Sequence, residues 1–158
     1  MTRRLAPLLL GAALCLAATM PARAQELSDC GDFRTDARNI PEPWEASTRT
    51  FANGEVRLVL LDTIEPAAAP YHLMILSPPY DEVGGRQCKV LSRDGRSGWA
   101  GVQFDLLEAG YDPATGLTLT LPAMIWLPEK NFVNSTLLTI TLNQSTGEIG
   151  VTQQLGNE

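Results

Sequence analysis

From Thr48 to the C-terminus, short runs that alternate apolar and polar residues are separated, repeatedly, by residue pairs that favour tight turns. Alternation with period two marks a strand with one buried face, and turn signals between such runs mark antiparallel hairpins. A chain written this way is directed to an antiparallel β fold. Helical periodicity is almost absent.

The first signal, Asn53-Gly54, joins a strand at Ser47–Ala52 to one at Glu55–Asp62. Both turn residues tolerate positive φ, which the tight hairpin turns require. The second, Asp94-Gly95, predicts a hairpin between Gln87–Ser92 and Trp99–Leu107, with Ala100, Val102, Phe104 and Leu106 on one face. The third and fourth, Asp112-Pro113-Ala114-Thr115-Gly116 and Asn143-Gln144-Ser145-Thr146-Gly147, each end in a glycine suited to the left-handed position after a type I turn. Leu117, Leu119 and Leu121 alternate with Thr118 and Thr120 after the third. Leu138, Ile140 and Leu142 run up to the fourth, and Ile149 and Val151 run back. Tyr71–Ser77 is apolar on both faces, which predicts a central strand covered on both sides. The result is an all-β antiparallel meander of about eight strands, packed as a sandwich or closed as a small barrel.

The opening residues carry a different message. Arg3 and Arg4 precede an apolar run from Leu8 to about Ala18, and Pro21-Ala22-Arg23-Ala24 follows with small residues at the cleavage positions. This is the pattern of a secretory signal peptide cleaved after Ala24. The apolar run falls short of the roughly twenty residues that a membrane span needs. The expected organisation is a signal peptide at 1–24, an irregular arm at 25–46 and an all-β domain at 47–158. The arm is rich in acids, arginine and proline, with one helical turn around Asp32–Arg38. The predicted location is periplasmic or secreted.

Cleavage removes Cys15 and leaves Cys30 and Cys88, an even pair bound for an oxidising compartment. A disulfide between them would pin the arm to the strand that contains Cys88. Arg3, Arg4 and Arg23 also leave, so the 12 basic residues of the full chain fall to 9 against 18 acidic, a net charge of −9. That balance excludes the basic stripe on which nucleic-acid binding depends. It favours a basic extracytoplasmic protein as partner.

Candidate site residues are few. The segment from Pro78 to Arg86 is longer than a turn requires: Tyr80 offers an aromatic surface, Asp81, Glu82 and Arg86 offer charge, and Gly84-Gly85 permit close backbone approach. The plainer alternative is a crossover that only turns the chain. Trp44, Trp99 and Trp126 are candidate contact aromatics, although packing under loops or against the disulfide is the favoured reading for all three. Trp99 alternates with Gly101 and Gln103, opposite Ala100 and Val102, and on that parity joins Tyr80, Asp81, Glu82 and Arg86 as a candidate binding residue.

His72 is the only histidine, and its phase with Met74 and Leu76 in an apolar strand predicts a hydrogen-bonded structural role. No metal site, cofactor motif or nucleophile elbow is written in the chain. Asp81 with Glu82, or Asp105 with Glu108, could be proposed as carboxylate pairs for glycosidic hydrolysis, but their spacing says no more than surface charge. The expectation is an exported, non-catalytic binding or accessory protein. The alternatives are an inhibitor of a basic secreted hydrolase, a small carboxylate-dependent hydrolase, or a barrel that carries an apolar ligand.

Overall fold

Two antiparallel sheets of five strands each make up the computed structural model, which describes residues 25–156. The expected signal peptide, residues 1–24, lies outside the described residues. The strands are β1 (Glu26–Asp29), β2 (Thr48–Phe51), β3 (Val56–Asp62), β4 (Tyr71–Tyr80), β5 (Arg86–Ser92), β6 (Gly101–Val102), β7 (Glu108–Asp112), β8 (Gly116–Leu127), β9 (Phe132–Leu142) and β10 (Ile149–Leu155). The first sheet has the order β1-β5-β4-β3-β2. The second runs β10-β9-β8-β6, with β7 also pairing with β8. Of the two closures open to a meander, the chain takes the sandwich.

Alternation builds the core. Leu58, Leu60, Leu73, Ile75 and Leu91 of the first sheet face Leu117, Leu119, Leu121, Leu138, Ile140 and Leu142 of the second, all in one buried cluster. At about 25 cal/mol per Å² of apolar surface removed from water, each such leucine contributes roughly 2 kcal/mol relative to exposure. The other face of the first sheet is covered too. Val59, Leu61, His72, Val90 and Ser92 belong to the opposite parity and are also buried, because the arm lies across them. The double coverage expected of the strand at Tyr71 is met at His72, while Met74 and Leu76, farther along the same face, are half-buried.

The arm is more ordered than an irregular segment. It begins with β1, which pairs with β5 from Glu26↔Ser92 to Asp29↔Lys89. Two 3-10 turns follow, Phe33–Thr35 and Ala37–Asn39, where one helical turn is expected. The Cys30–Cys88 disulfide, with Cα atoms 5.4 Å apart, ties the arm to β5. Those two residues sit at the end of the β1–β5 ladder, so the bridge continues a pairing that is already in register.

The Asp94-Gly95 turn departs from expectation. It does not return the chain along β5. Trp99 exchanges backbone hydrogen bonds with Tyr71 in the first sheet, and the next residue, Ala100, donates to Met124 in the second. The chain therefore changes sheets between Trp99 and Ala100. Gly98 permits the close approach, since a Cβ there would lie 1.9 Å from the Tyr71 carbonyl oxygen. The single strand expected over Trp99–Leu107 becomes the two residues of β6 and a 3-10 turn at Phe104–Leu106. Phe104 points into the core, while Leu106 is exposed.

Candidate functional site

Four hairpin tips gather at one end of the sandwich: 52–55 between β2 and β3, 81–85 between β4 and β5, 113–115 between β7 and β8, and 143–148 between β9 and β10. The 81–85 segment is a hairpin loop, not a crossover. Pro78 and Pro79 have no N–H to give the ladder, and the register shifts between Ser77 and Tyr80 before Tyr80↔Arg86 closes the pairing. The loop is closed from within. Oδ1 of Asp81 accepts hydrogen bonds from the N–H groups of Val83 and Gly85 at 3.0 and 2.6 Å.

The residues at the base of this loop are used as braces. The Tyr80 hydroxyl donates to the Glu55 carboxylate, which holds the phenol's pKa above its ordinary value. Arg86 donates to the carbonyl oxygens of Gly54 and Glu55 at 3.0 and 3.3 Å. On the other side, Gln87 donates to Gly147 O at 2.9 Å and so reaches the second sheet. The loop is thereby fastened to two neighbouring hairpins. At its summit Val83 is 91 % exposed, beside the exposed Glu82. Tyr80, Asp81, Glu82 and Arg86 are thus brought together. Glu55, which links them to the next hairpin, carries no signal in the sequence beyond its place after Asn53-Gly54.

Trp99 does not join them. It belongs to the opposite end, where β4 begins, and it is 0 % exposed. Its indole N–H donates to Gln153 Oε1 at 3.3 Å. The parity that placed it outward assumed a continuous strand, and the change of sheet at Ala100 breaks that strand. Trp99 is a core residue and not a contact residue. Trp44 is 54 % exposed, on the segment leading into β2.

A second constellation lies under the arm. Nδ1 of His72 is 2.8 Å from Ser92 Oγ, a spacing within reach of a nucleophile and its base. Arg34 Nη1 donates to the same oxygen at 2.7 Å. The Arg34 guanidinium also donates to Ser28 Oγ and to both carboxylate oxygens of Asp32. Ser92 Oγ accepts from Arg34 and shares a second hydrogen bond with His72 Nδ1, while Nε2 of the ring has no partner among the described residues. His72 and Ser92 are both sealed from solvent, and Arg34 is buried across them. No substrate carbonyl can reach this hydroxyl without removal of the arm. The constellation is a latch between arm and sheet, and it keeps the histidine neutral: burial, with the Arg34 charge second, lowers its pKa to about 4.

The outer face of the second sheet is open. Asp105 and Glu108 flank a shallow groove there with Leu106, Leu107, Thr120, Pro122 and Leu137. Among the described residues no group of three or more His, Cys, Asp or Glu could hold a metal ion. Among the described residues no helix is long and apolar enough to cross a membrane.

These features define a class: a disulfide-tied, two-sheet antiparallel β-sandwich whose N-terminal arm covers one sheet. Comparison takes the class no further, since no family model, no curated protein and no solved structure matches the chain.

Proposed function

We propose that the chain is an exported, non-catalytic binding or accessory protein of the periplasm, with the 81–85 loop as its contact surface. The observation that supports this reading is an apolar side chain, Val83, held out in solvent by a loop that is internally closed and externally braced. Side chains that are ordered before binding lose little freedom on contact, so more of the interaction appears as affinity. The exposed carboxylates of Asp81 and Glu82 beside Val83 give this point negative charge. A basic extracytoplasmic protein with an apolar pocket is the complementary partner. The mature charge of −9 speeds the encounter with such a surface. A basic secreted hydrolase is one partner of that kind, and this chain would then act as its inhibitor through the same loop.

The test is affinity capture from extracytoplasmic extract of the source, with residues 25–158 as bait, oxidised, at low and moderate salt. Wild type and Val83→Asp are run side by side. The expected result is a stoichiometric basic protein that wild type holds at low salt, that washes off as salt rises, and that Val83→Asp does not hold. A partner retained equally by Val83→Asp, or no partner from a folded bait, overturns the reading.

A further inference from the structure

Sheet edges are where an all-β protein is open to other chains, because an edge strand presents N–H and C=O groups with no ladder partner. Here the edges are blunted in four places. β1 has four residues and carries Glu26 and Asp29. β2 has four, and the Arg49 side chain folds over its approach to donate to the carbonyls of Glu45, Ala46 and Thr48. β6 has two residues, and β7 carries Glu108 and Asp112. β10 has none of these devices. It runs seven residues, Ile-Gly-Val-Thr-Gln-Gln-Leu, with no charge and no proline, in unbroken register with β9.

The direction of its free groups follows from the ladder. Asn143 N–H donates to Glu148 O at one end of the β9–β10 pair, and Gly156 N–H donates to Ser135 O at the other. Antiparallel alternation therefore turns the backbone groups of Gly150, Thr152 and Gln154 toward β9. Those of Ile149, Val151, Gln153 and Leu155 point outward, away from the sheet.

We infer that β10 pairs antiparallel with β10 of a second copy of this chain, about a two-fold axis that passes through Thr152. In this register Ile149 lies opposite the partner's Leu155, and Val151 lies opposite the partner's Gln153. Every outward N–H and C=O of the strand gains a partner, since the four outward residues are spaced symmetrically about Thr152. The side chains match as well. Ile149 and Leu155 share the face turned to the sandwich interior, so their pairing continues the core across the axis. It also covers Leu155, which is 54 % exposed in the single chain. On the outer face the row Thr120, Thr139, Thr152 runs on into the partner's Thr152.

The self-complementary register favours a second copy over an unrelated strand. Charge sets its strength. Each mature chain carries −9, and the acidic β1 lies on the same side of the sandwich, where Gln25 donates to Gln153 at 3.2 Å. Salt screens that repulsion, so dimerisation strengthens as ionic strength rises. The proposed capture of a basic partner weakens under the same change, and the two interactions are told apart by this sign.

The test uses residues 25–158 with the native disulfide intact. Molar mass is followed against concentration and salt by light scattering after size exclusion. Thr152→Cys places two thiols at a non-hydrogen-bonded pair on the axis, and spontaneous oxidation should link the copies covalently. Thr118→Cys, on the same face of an interior strand, should not. Thr152→Lys sets like charges opposite each other and should weaken dimerisation roughly fivefold. Leu155→Pro removes one outward N–H and costs no bond to β9, so it should weaken the dimer in a chain that still folds. A wild type that stays monomeric at every concentration overturns the inference. A dimer in which Thr152→Cys links no faster than Thr118→Cys overturns it too. A monomer that loses capture of some other protein through Thr152→Lys assigns the edge to a different chain and also overturns it.

Discussion

Ser92 Oγ stands 2.8 Å from His72 Nδ1, both side chains closed off from water, and the arm holds the pair shut through Arg34. The relationship couples acid stability to the seating of the arm. Burial and the Arg34 charge lower the His72 pKa from 6.5 to about 4, so between those values the unfolded chain binds a proton that the folded chain excludes. Stability is complete above pH 6.5 and falls as pH drops toward 4, by roughly 3 kcal/mol in all. The Asp32 carboxyl, held below 3.8 chiefly by its Arg34 hydrogen bond, adds a further loss below that pH. Urea midpoints measured from about pH 7 to about pH 4 should fall in the wild type and stay nearly level in His72→Gln. A wild type with a level profile contradicts the account.

Arg34 should be intolerant of conservative change. It is buried and gives its fork to Asp32 while its remaining donors reach Ser92, Ser28 and Gly95. Arg34→Ala leaves buried hydroxyls without a donor and should cost roughly 3 kcal/mol. Arg34→Lys supplies a charge without the planar fork and should recover less than half of that. Equilibrium denaturation of the three proteins decides it, and full recovery by lysine would refute the role of the fork.

Reduction of the disulfide should loosen the whole domain. The bridge spans 58 residues, and closing a loop of that size stabilises a fold by roughly 4 kcal/mol in the chain-entropy view. The Cys30→Ser, Cys88→Ser double variant should lose a similar amount in chemical denaturation. It should also show faster amide exchange in β1 and in the arm than in β8 and β9. Equal protection throughout would mean that the bridge does not hold the arm.

Two tryptophans should separate by stability. Trp99→Ala empties the place where the chain changes sheets and should cost about 3–5 kcal/mol. Trp44→Ala, on the exposed segment before β2, should stay within about 0.5 kcal/mol of wild type. Gly98→Ala should prevent folding or nearly so, since the added Cβ would meet the Tyr71 carbonyl. Thermal melts of the three variants test the crossover directly, and a Gly98→Ala protein as stable as wild type would contradict the close approach.

The candidate loop was legible in part. Length, prolines and glycines marked 78–86 as unusual, and Tyr80, Asp81, Glu82 and Arg86 do lie together. What each side chain does there was not legible. The partners of Tyr80 and Arg86 belong to a different hairpin about thirty residues earlier, and no local pattern encodes a contact at that separation. The same holds for the latch under the arm, where Arg34 meets Ser92 at a separation of 58 residues. His72 could be read as structural because its strand was apolar on both faces. Ser92 could not, because it looked like the polar end of a strand.

Alternation, turn chemistry and an even pair of cysteines determined the all-β class, most of the strands and the disulfide. Each depends on residues close in sequence or on simple counting, so local physics suffices. Tertiary structure alone decided that the meander stays open as a sandwich, that the arm becomes a strand and a cover, and that Trp99 turns inward. Those outcomes depend on which surfaces remain to be buried once both sheets exist. Trp99 marks the divide. Its parity along the chain predicted solvent, but the chain leaves one sheet for the other beside it, and the space between the sheets takes the largest side chain available.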